Sequence, residues 1–333
     1  MVSPRTITPQ RSLRLDLPHV DHWRLLTPMN IHLRQLWGWG YSIQKILGAT
    51  EPRPLATSRL LIASDYSGDH STASHRIYCY LVVRGGGRDW FSAVQSARRN
   101  LLRDGRRLSY KGLNDHFRQQ ALVSFLQAAA NLDGHLVAVA VDKQKKWLSI
   151  PPNAAQKLCK AFGLKATWSP KSLEAMMRKV HFLSILVSIW SRPYSDVTWI
   201  TDEDEFVAND ARHDDALLLA GRISSLYLPH PMRIFRLNTT GQDPEASDFE
   251  DLCSIPDLAA GMLSEIATRL AKDGKWENRT SKILENSLPM KAEVISDWFW
   301  DTDMSLRKTF ISIDVERTGF SVRRVSQLQS VPY

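Results

Sequence analysis

The sequence predicts an α/β fold. Short apolar runs at residues 60–64, 135–141 and 196–201 have the length and composition of strands. The run at 135–141 is almost continuously apolar, which is typical of a strand covered on both faces. Between such runs lie helical patterns, most clearly at 112–132, where apolar residues recur every three or four positions. Strands that alternate with helices predict a sheet flanked by helices.

The N-terminal part of the chain is predicted to contain an extension, a second strand and a helix. Residues 1–57 are rich in Arg, Pro and Trp and contain a helical pattern at 28–47. A β-rich run at 77–83 ends at three consecutive glycines. These favour a turn, because no Gly-Lys-Ser/Thr phosphate-binding pattern surrounds them. A helix at 89–103 follows.

The C-terminal part combines a helical insertion, a second set of strands and a terminal hairpin. A helix is expected to begin at 254–256, because proline is tolerated in the first helical turn. The alternating segments 309–316 and 320–325 predict a hairpin. The other predicted elements are helices at 152–162, 170–190 and 211–226, a strand at 232–237 and an aromatic helix end at 298–300. We therefore divide the chain into an N-terminal extension (1–57), a core (58–272, with a helical insertion at 152–192) and a C-terminal helix and hairpin (273–333).

Composition restricts the class of protein. A chain of 333 residues with 43% hydrophobic and 23% charged residues is long enough for one large or two ordinary soluble domains. Its three cysteines, Cys79, Cys159 and Cys253, have no paired spacing, which argues against a disulfide framework and a zinc knuckle. A reducing cytoplasm fits this cysteine usage best.

Charge and hydropathy bear on partners. The net charge is +8, from 43 Lys and Arg against 35 Asp and Glu, which permits a polyanionic partner. No signal peptide or membrane span is expected, because no apolar run approaches about 20 residues. The most apolar stretch, 180–190, contains His181, Ser184 and Ser188 and predicts a buried helix.

Acidic residues lie where several predicted elements end or begin. Asp65, Asp142 and Asp202 follow the three strand-like runs, Glu203 comes next to Asp202, and Asp257 lies at the predicted helix start. Strand ends on one edge of a sheet, with a helix passing over it, would bring such side chains together. Mg²⁺ and Mn²⁺ prefer carboxylate oxygens, and two such ions can stabilise both oxygens of a phosphodiester displacement. The pattern predicts a divalent-metal site.

Each of these acids also has a purely structural interpretation. Asp65 can start a turn with Ser67 and Gly68, and Asp257 can be a favourable charge at a helix N-terminus. Asp142 can pair with a neighbouring lysine, and the acids after residue 201 can form a solvated loop. His70 and His75, near the first turn, are candidates for a ligand or proton carrier, although a structural role is the commoner one.

Positive charge is concentrated between residues 98 and 111. This density is expected where a protein neutralises a phosphate backbone, although a solvated helix face has the same appearance. The predicted nucleic-acid-binding residues are Arg98, Arg99, Arg103, Arg106, Arg107 and Lys111.

Four short segments, taken in order, carry a resemblance to a known family. They are Asp65-Tyr66-Ser67-Gly68, Tyr110-Lys111-Gly112-Leu113, Thr201-Asp202-Glu203-Asp204 and Pro256-Asp257-Leu258-Ala259-Ala260-Gly261. Over residues 58–272 the chain resembles the family called domain of unknown function 3800, which is widespread in bacteria. The resemblance implies a ribonuclease H-like mixed sheet flanked by helices and a presumed nuclease activity. It also implies that Asp65, Asp202 and Asp257 are metal ligands.

The chain departs from the family pattern at two positions. Tyr66 replaces a glutamate in the opening motif, and Tyr110 stands where the family usually has a glutamate before the lysine of the middle motif. If that second glutamate is a ligand, then Asp142, Asp115 or Glu203 must replace it, or one ligand is lost. Asp142 is the preferred substitute, because Asp115 lies away from the apolar stripe of its helix.

The sequence therefore predicts a Mg²⁺- or Mn²⁺-dependent nuclease that hydrolyses DNA or RNA by a two-metal mechanism. Defence against foreign nucleic acid would suit the resemblance. The alternative is a catalytically inactive nucleic-acid-binding subunit of a larger nucleoprotein assembly. A weaker alternative is a structural protein, or a homo-oligomer, that docks through its terminal segments, including Trp298-Phe299-Trp300.

Overall fold

The structure is a computed structural model. It describes residues 12–13, 40–47, 58–84, 88–102, 107–144, 150, 152–202, 207–228, 230–242, 248–272, 288–316 and 319–325. These residues fall into two compact units. Unit 1 comprises Met1–Gln44, Pro52–Ile62 and Leu148–Glu250, and unit 2 comprises Lys45–Glu51, Ala63–Trp147 and Asp251–Tyr333. Each unit contains both strands and helices.

The described elements are eight strands and eight helices. The strands are β1 (Ser12–Leu13), β2 (Arg59–Ser67), β3 (His75–Arg84), β4 (Gly134–Asp142), β5 (Asp196–Thr201), β6 (Ile234–Thr239), β7 (Arg307–Glu316) and β8 (Gly319–Val325). The helices are α1 (40–47), α2 (Arg88–Leu101), α3 (His116–Ala130), α4 (Pro152–Phe162), α5 (Pro170–Trp190), α6 (Asp210–Tyr227), α7 (Asp248–Lys272) and α8 (Met290–Trp300). Short 3₁₀ turns cover Lys111–Asn114 and Thr240–Gln242.

Unit 1 has a mixed sheet covered by helices. Its strand order is β1-β6-β5-β2, with β6 parallel to β5 and antiparallel to β1. Only the Arg59–Ile62 part of β2 belongs to this unit. Helix α5 packs on α6, where the buried side chains of His181 and Tyr227 meet. Apolar residues from these helices and strands, including Trp190 and Trp199, form the core.

Unit 2 also has a mixed sheet. Its order is β2-β3-β4-β7-β8, with β3 antiparallel to β4, β4 parallel to β7, and β7 antiparallel to β8. The C-terminal hairpin therefore extends the sheet beside β4. Strand β4 is buried along almost its whole length, as its continuous apolar run predicted.

The predicted α/β class, with mixed sheets flanked by helices, is confirmed. The structure also confirms the predicted helices at 152–162 and 170–190, the strand at 196–201 and the C-terminal hairpin. The predicted helix at 28–47 is helical over 40–47, and its earlier part lies outside the described residues. The three glycines at 85–87 also lie outside them.

The predicted start of the helix that carries Asp257 is wrong. Helix α7 begins at Asp248, and Pro256 lies inside it. Proline has no N–H to donate to the carbonyl four residues earlier, so the prediction favoured a boundary at this position. The surrounding apolar residues, among them Leu252, Ile255 and Leu258, are buried and keep the chain helical through the proline. Asp257 therefore lies in the middle of a helix and not at an N-terminus.

The predicted continuous helix at 112–132 is also wrong at its beginning. The chain forms the 3₁₀ turn Lys111–Asn114, and α3 then starts at His116. Asp115 is the N-cap, and its Oδ1 accepts a hydrogen bond from the Arg118 N–H at 3.2 Å. Ala121 and Phe125 of the 112–132 apolar pattern are buried in α3. Phe117, another apolar residue of that pattern, is 69% exposed in the first turn of the helix.

Among the residues that the structure describes, no helix combines the length and the apolar character needed to cross a membrane.

Candidate functional site

Asp65 lies on one face of strand β2, away from a cluster of tyrosines. Strand β2 runs on to Ser67, so Asp65 precedes the strand end by two residues. Successive side chains of a strand point to opposite faces. Ser64 and Tyr66 share one face, where their hydroxyl groups lie 2.8 Å apart and the Tyr66 ring packs edge-on against Tyr78 and Tyr80. The Asp65 carboxylate belongs to the opposite face and is half-buried.

The turn after Asp65 depends on Gly68. This residue has a φ of 86°, in the left-handed region that favours glycine. A Cβ at this position would lie 2.1 Å from the carbonyl oxygen of His75 in β3. The motif glycine thus permits close contact between the two ends of the β2–β3 connection. It fixes the direction in which the strand carrying Asp65 leaves the sheet.

Asp65 and Asp257 both act on the same buried thiol in unit 2. Cys79 of β3 is fully buried, and burial raises the pKa of its thiol well above the usual value. The negative charges of Asp65 and Asp257 raise this pKa further. A strand carboxylate and a helix carboxylate therefore both lie within electrostatic range of Cys79. Both are half-buried, so neither is sealed in the core.

The Asp257 carboxylate is held by the backbone of the segment before α3. Its Oδ2 accepts a hydrogen bond from the Tyr110 N–H at 2.9 Å. A backbone donor has a fixed position, so this bond restricts the rotamer of Asp257. The Tyr110-Lys111-Gly112-Leu113 segment and the Pro256–Gly261 segment, distant in sequence, meet at this bond.

The Tyr110 side chain lies on helix α7 over Gly261. A Cβ on Gly261 would lie 2.2 Å from Tyr110 Cγ, so only glycine leaves room for the ring. The Tyr110 hydroxyl donates to the Glu265 carboxylate, which Arg269 also contacts at 2.9 Å. Burial, and next the bond to Glu265, raise the pKa of the Tyr110 hydroxyl. The phenol therefore stays protonated and keeps donating at neutral pH.

Lys291 of α8 lies over the face of the Tyr110 ring. Its Nζ lies 4.5 Å from the ring centroid and donates to the Tyr110 carbonyl oxygen at 3.2 Å and to Asn114 Oδ1 at 3.1 Å. A cation over an aromatic face is favourable. The segment that holds Asp257 is thus fixed from both α7 and α8.

The remaining predicted acids are placed differently. Asp142 ends β4, and its Oδ1 accepts from the Gln144 N–H at 2.8 Å, so it stabilises the turn after the strand. Asp202 follows β5 in unit 1, and its Oδ1 accepts from the Thr240 hydroxyl at 2.8 Å. Glu203 lies outside the described residues. Asp115, the other candidate, caps α3.

The two carboxylates that act on Cys79 are chemically suited to bind a hard divalent cation, but two side chains provide few ligands. Asp65 and Asp257 supply carboxylate oxygens, which Mg²⁺ and Mn²⁺ prefer. Within the described ranges, no group of three or more His, Cys, Asp or Glu side chains has an arrangement suited to hold a metal ion. Asp202 belongs to the other unit, so its predicted role as the third ligand stays a prediction.

The structure gives the predicted basic residues unequal environments. The Arg98 guanidinium forms a two-pronged ion pair with Asp251, and these side chains are only 10% and 3% exposed. Arg98 is thus used inside unit 2. Arg99 and Lys111 are exposed, and Arg107 is half-buried. Arg103 and Arg106 lie outside the described residues.

The two histidines near the first turn have structural partners. His75 is buried, with Nδ1 2.8 Å from the Ser74 hydroxyl and Nε2 3.3 Å from Asp314 Oδ1. His70 is exposed, and its Nδ1 lies 2.9 Å from the Thr72 hydroxyl. The contacts of His75 support its structural interpretation.

Sequence reasoning missed the partners of Tyr110. The close neighbour of Gly261 is the Tyr110 ring, which was not predicted from the sequence. The sequence did contain a pattern that predicts a shared helix face. Residues spaced by four lie on the same face of a helix, as do Asp257, Gly261, Glu265 and Arg269. Nothing in the local sequence indicated that Lys291 joins them.

Comparisons with protein-family models, curated proteins and solved structures found no match to this chain. The resemblance described above therefore depends on the four short motifs alone and stays a prediction.

Proposed function

We propose that this protein is a divalent-metal-dependent hydrolase of nucleic-acid phosphodiester bonds. The observation that carries the proposal is that the Asp65 and Asp257 carboxylates both act electrostatically on the buried Cys79 thiol in unit 2, with Asp257 held by the Tyr110 N–H. A cation bound by both carboxylates would offset the repulsion between their negative charges. Carboxylates held in this way are the usual ligands of hydrolytic Mg²⁺ and Mn²⁺ ions.

In this proposal Asp65 and Asp257 hold the metal. When bound, the ion would supply positive charge to the reacting phosphodiester oxygens. The chain itself supplies orientation, since the Tyr110 N–H fixes the Asp257 carboxylate and the packing of Tyr110 on Gly261 fixes that N–H. Residues supported in this way keep their geometry, which metal sites require.

The proposal includes a ribonuclease H-like arrangement and the resemblance to the domain of unknown function 3800 family. It is supported by a strand aspartate, Asp65, and a helix aspartate, Asp257, on elements far apart in sequence. Asp202 follows strand β5 in the other unit, so the role of third ligand that the resemblance implies for it stays a prediction outside this two-residue site. Asp142 is omitted because the carboxylates that act on Cys79 are those of Asp65 and Asp257.

Cleavage assays test the proposal. Purified protein with Mn²⁺ or Mg²⁺ should cut DNA or RNA, and EDTA should stop the reaction. Asp65→Asn and Asp257→Asn should each lower the rate at least about 100-fold, since they remove a ligand charge. Asp133→Asn is the matched control, because Asp133 is an exposed aspartate of unit 2 that pairs with Arg84. Cleavage by Asp65→Asn at the wild-type rate would contradict the proposal.

The second candidate function is a nucleic-acid-binding subunit without hydrolytic activity. It is favoured by Tyr110, which stands where the resembled family usually has a glutamate and which packs on Gly261 instead of offering a carboxylate. This candidate predicts that the protein binds nucleic acid with the same affinity in EDTA and in Mn²⁺, and cuts none. Hydrolysis that depends on Asp65 would exclude it.

A further inference from the structure

An aromatic and basic surface lies at the start of helix α3. Phe117 is 69% exposed, although it is a large apolar residue. Its ring stands edge-on to the exposed ring of His116, with 6.2 Å between the ring centroids. An aromatic side chain this exposed gains little from the folding of its own chain. Phe117 is therefore available for contact with a ligand.

Positive charge flanks this pair of rings. Lys111 is exposed in the 3₁₀ turn that precedes α3, and Lys291 Nζ donates to Asn114 Oδ1 at the end of that turn. The nearest acid along the chain, Asp115, is already engaged as the N-cap of α3 and contacts Arg118 at 3.5 Å. The surface thus combines exposed rings with cations and a polar amide.

The chemistry of this surface matches an unpaired polynucleotide. Bases of a single strand expose their faces and stack on aromatic side chains, while lysines neutralise the phosphates. In a duplex the same base faces are hidden in the stack. An apolar protein partner would not need the flanking lysines.

We propose that the surface formed by Lys111, Asn114, His116, Phe117 and Lys291 binds single-stranded nucleic acid. An unpaired base stacks on Phe117, and phosphates lie against Lys111 and Lys291. The inference rests on the proposed function for its substrate class and makes it more specific, since it names the strandedness. Tyr110 connects the two sites, because its N–H donates to Asp257 and its carbonyl accepts from Lys291.

Fluorescence anisotropy with labelled oligonucleotides about 12 nucleotides long, a usual site size, tests the inference in EDTA. Wild-type protein should bind single-stranded DNA or RNA more tightly than the duplex of the same sequence. Phe117→Ala should weaken binding about 10- to 100-fold, the range found when one stacking partner is removed. Separate DNA and RNA arms show which polymer is preferred.

Two further variants separate stacking from simple apolar contact. Phe117→Trp should bind as well as wild type, because it keeps an aromatic face, whereas Phe117→Leu should be as weak as Phe117→Ala. Val123→Ala is the matched control, since Val123 is another exposed apolar residue of α3, and it should not change affinity. Lys111→Gln should lower the salt dependence of binding by about one phosphate contact, a slope change of about 0.7.

Wild-type affinity in Phe117→Ala, equal binding of duplex and single strand, or full rescue by leucine would each overturn the inference. Because the assay contains EDTA, its result is independent of hydrolysis. Binding through Phe117 without any metal-dependent cleavage would refute the proposed hydrolase and leave this inference standing. Cleavage that needs Asp65, together with unchanged binding by Phe117→Ala, would refute this inference alone.

Discussion

Gly261 lies directly beneath the ring of Tyr110. A Cβ built on Gly261 would lie 2.2 Å from Tyr110 Cγ and 2.5 Å from Cδ1, distances that no folded protein tolerates without movement. The same tyrosine donates its backbone N–H to Asp257, one helical turn before the glycine. The position of the Asp257 carboxylate is therefore coupled to the absence of a side chain at residue 261.

Gly261→Ala should destabilise the protein by about 2 kcal/mol, because the ring must move out of its place on α7. In an ordinary helix position the same change would stabilise by up to about 1 kcal/mol. Urea denaturation gives both values if the substitution is also made in a Tyr110→Ala background. There the methyl group has room, so Gly261→Ala should be neutral or stabilising. Equal costs in the two backgrounds would show that the ring does not set the requirement for glycine.

Helices and strands that are marked by a few consecutive residues were predicted well from the sequence. The continuous apolar run of β4 and the proline-initiated helices α4 and α5 were found, because strand burial and helix starts leave marks within a few residues. The start of α7 was missed since a local rule for Pro256 was outweighed by burial of the helix around it. The exposure of Phe117 was missed because the buried face of α3, which includes Leu122, Phe125 and Ala129, does not extend to this residue in the first turn.

The candidate site was predictable only in part. The acids Asp65 and Asp257 were chosen because they end or begin elements, and both act on Cys79. Arg98 was assigned to nucleic acid from charge density, whereas it pairs with Asp251, more than 150 positions away along the chain. Such a pairing depends on tertiary structure and leaves no local pattern.

Arg98 should matter for stability. Arg98→Met should cost about 3–5 kcal/mol, because it leaves the Asp251 carboxylate buried without its partner. The double variant Arg98→Met/Asp251→Leu should recover much of this loss, since no uncompensated charge remains. Arg99→Ala, on the exposed face of the same helix, should change the free energy of unfolding by less than about 0.5 kcal/mol. Chemical denaturation of the wild type, the two single variants and the double variant gives the free energies of unfolding. Equal stability of wild type and Arg98→Met would contradict the role of the ion pair.

Asp215 should be the most sensitive polar position of unit 1. This buried carboxylate accepts from the Lys165 N–H, the Ala166 N–H and the Trp168 indole N–H, each at 2.8 Å. Asp215→Ala should destabilise by at least on the order of 3 kcal/mol, because three donors lose their acceptor. Asp215→Asn keeps one oxygen and should cost less. Thermal unfolding followed by far-UV circular dichroism provides the measurement, and an unchanged midpoint for Asp215→Ala would contradict the assignment.

His181 should make the protein less stable in mild acid. Burial lowers the pKa of His181 to about 3, from an unfolded value near 6.5. The unfolded state therefore binds more protons between these values, and stability falls as the pH drops below about 6.5. At pH 5 the loss is about 2 kcal/mol.

His181→Gln removes the titration and keeps a hydrogen-bonding partner for the Tyr227 hydroxyl, which contacts His181 Nδ1 at 2.7 Å. Urea denaturation at pH 7 and pH 5 should therefore give a smaller difference for the variant than for wild type. An identical pH dependence would assign the acid sensitivity to other groups.

The central claim is that Asp65 and Asp257 form one cation site. Calorimetric titration of the wild-type protein with Mn²⁺ should show saturable binding that is reduced at least about 10-fold by Asp65→Asn and by Asp257→Asn. The double variant should lose saturable binding altogether, because both carboxylate ligands of the ion are then removed. Asp133→Asn should bind as wild type. Mn²⁺ binding that is absent from the wild type, or unchanged in both single variants, would contradict the account.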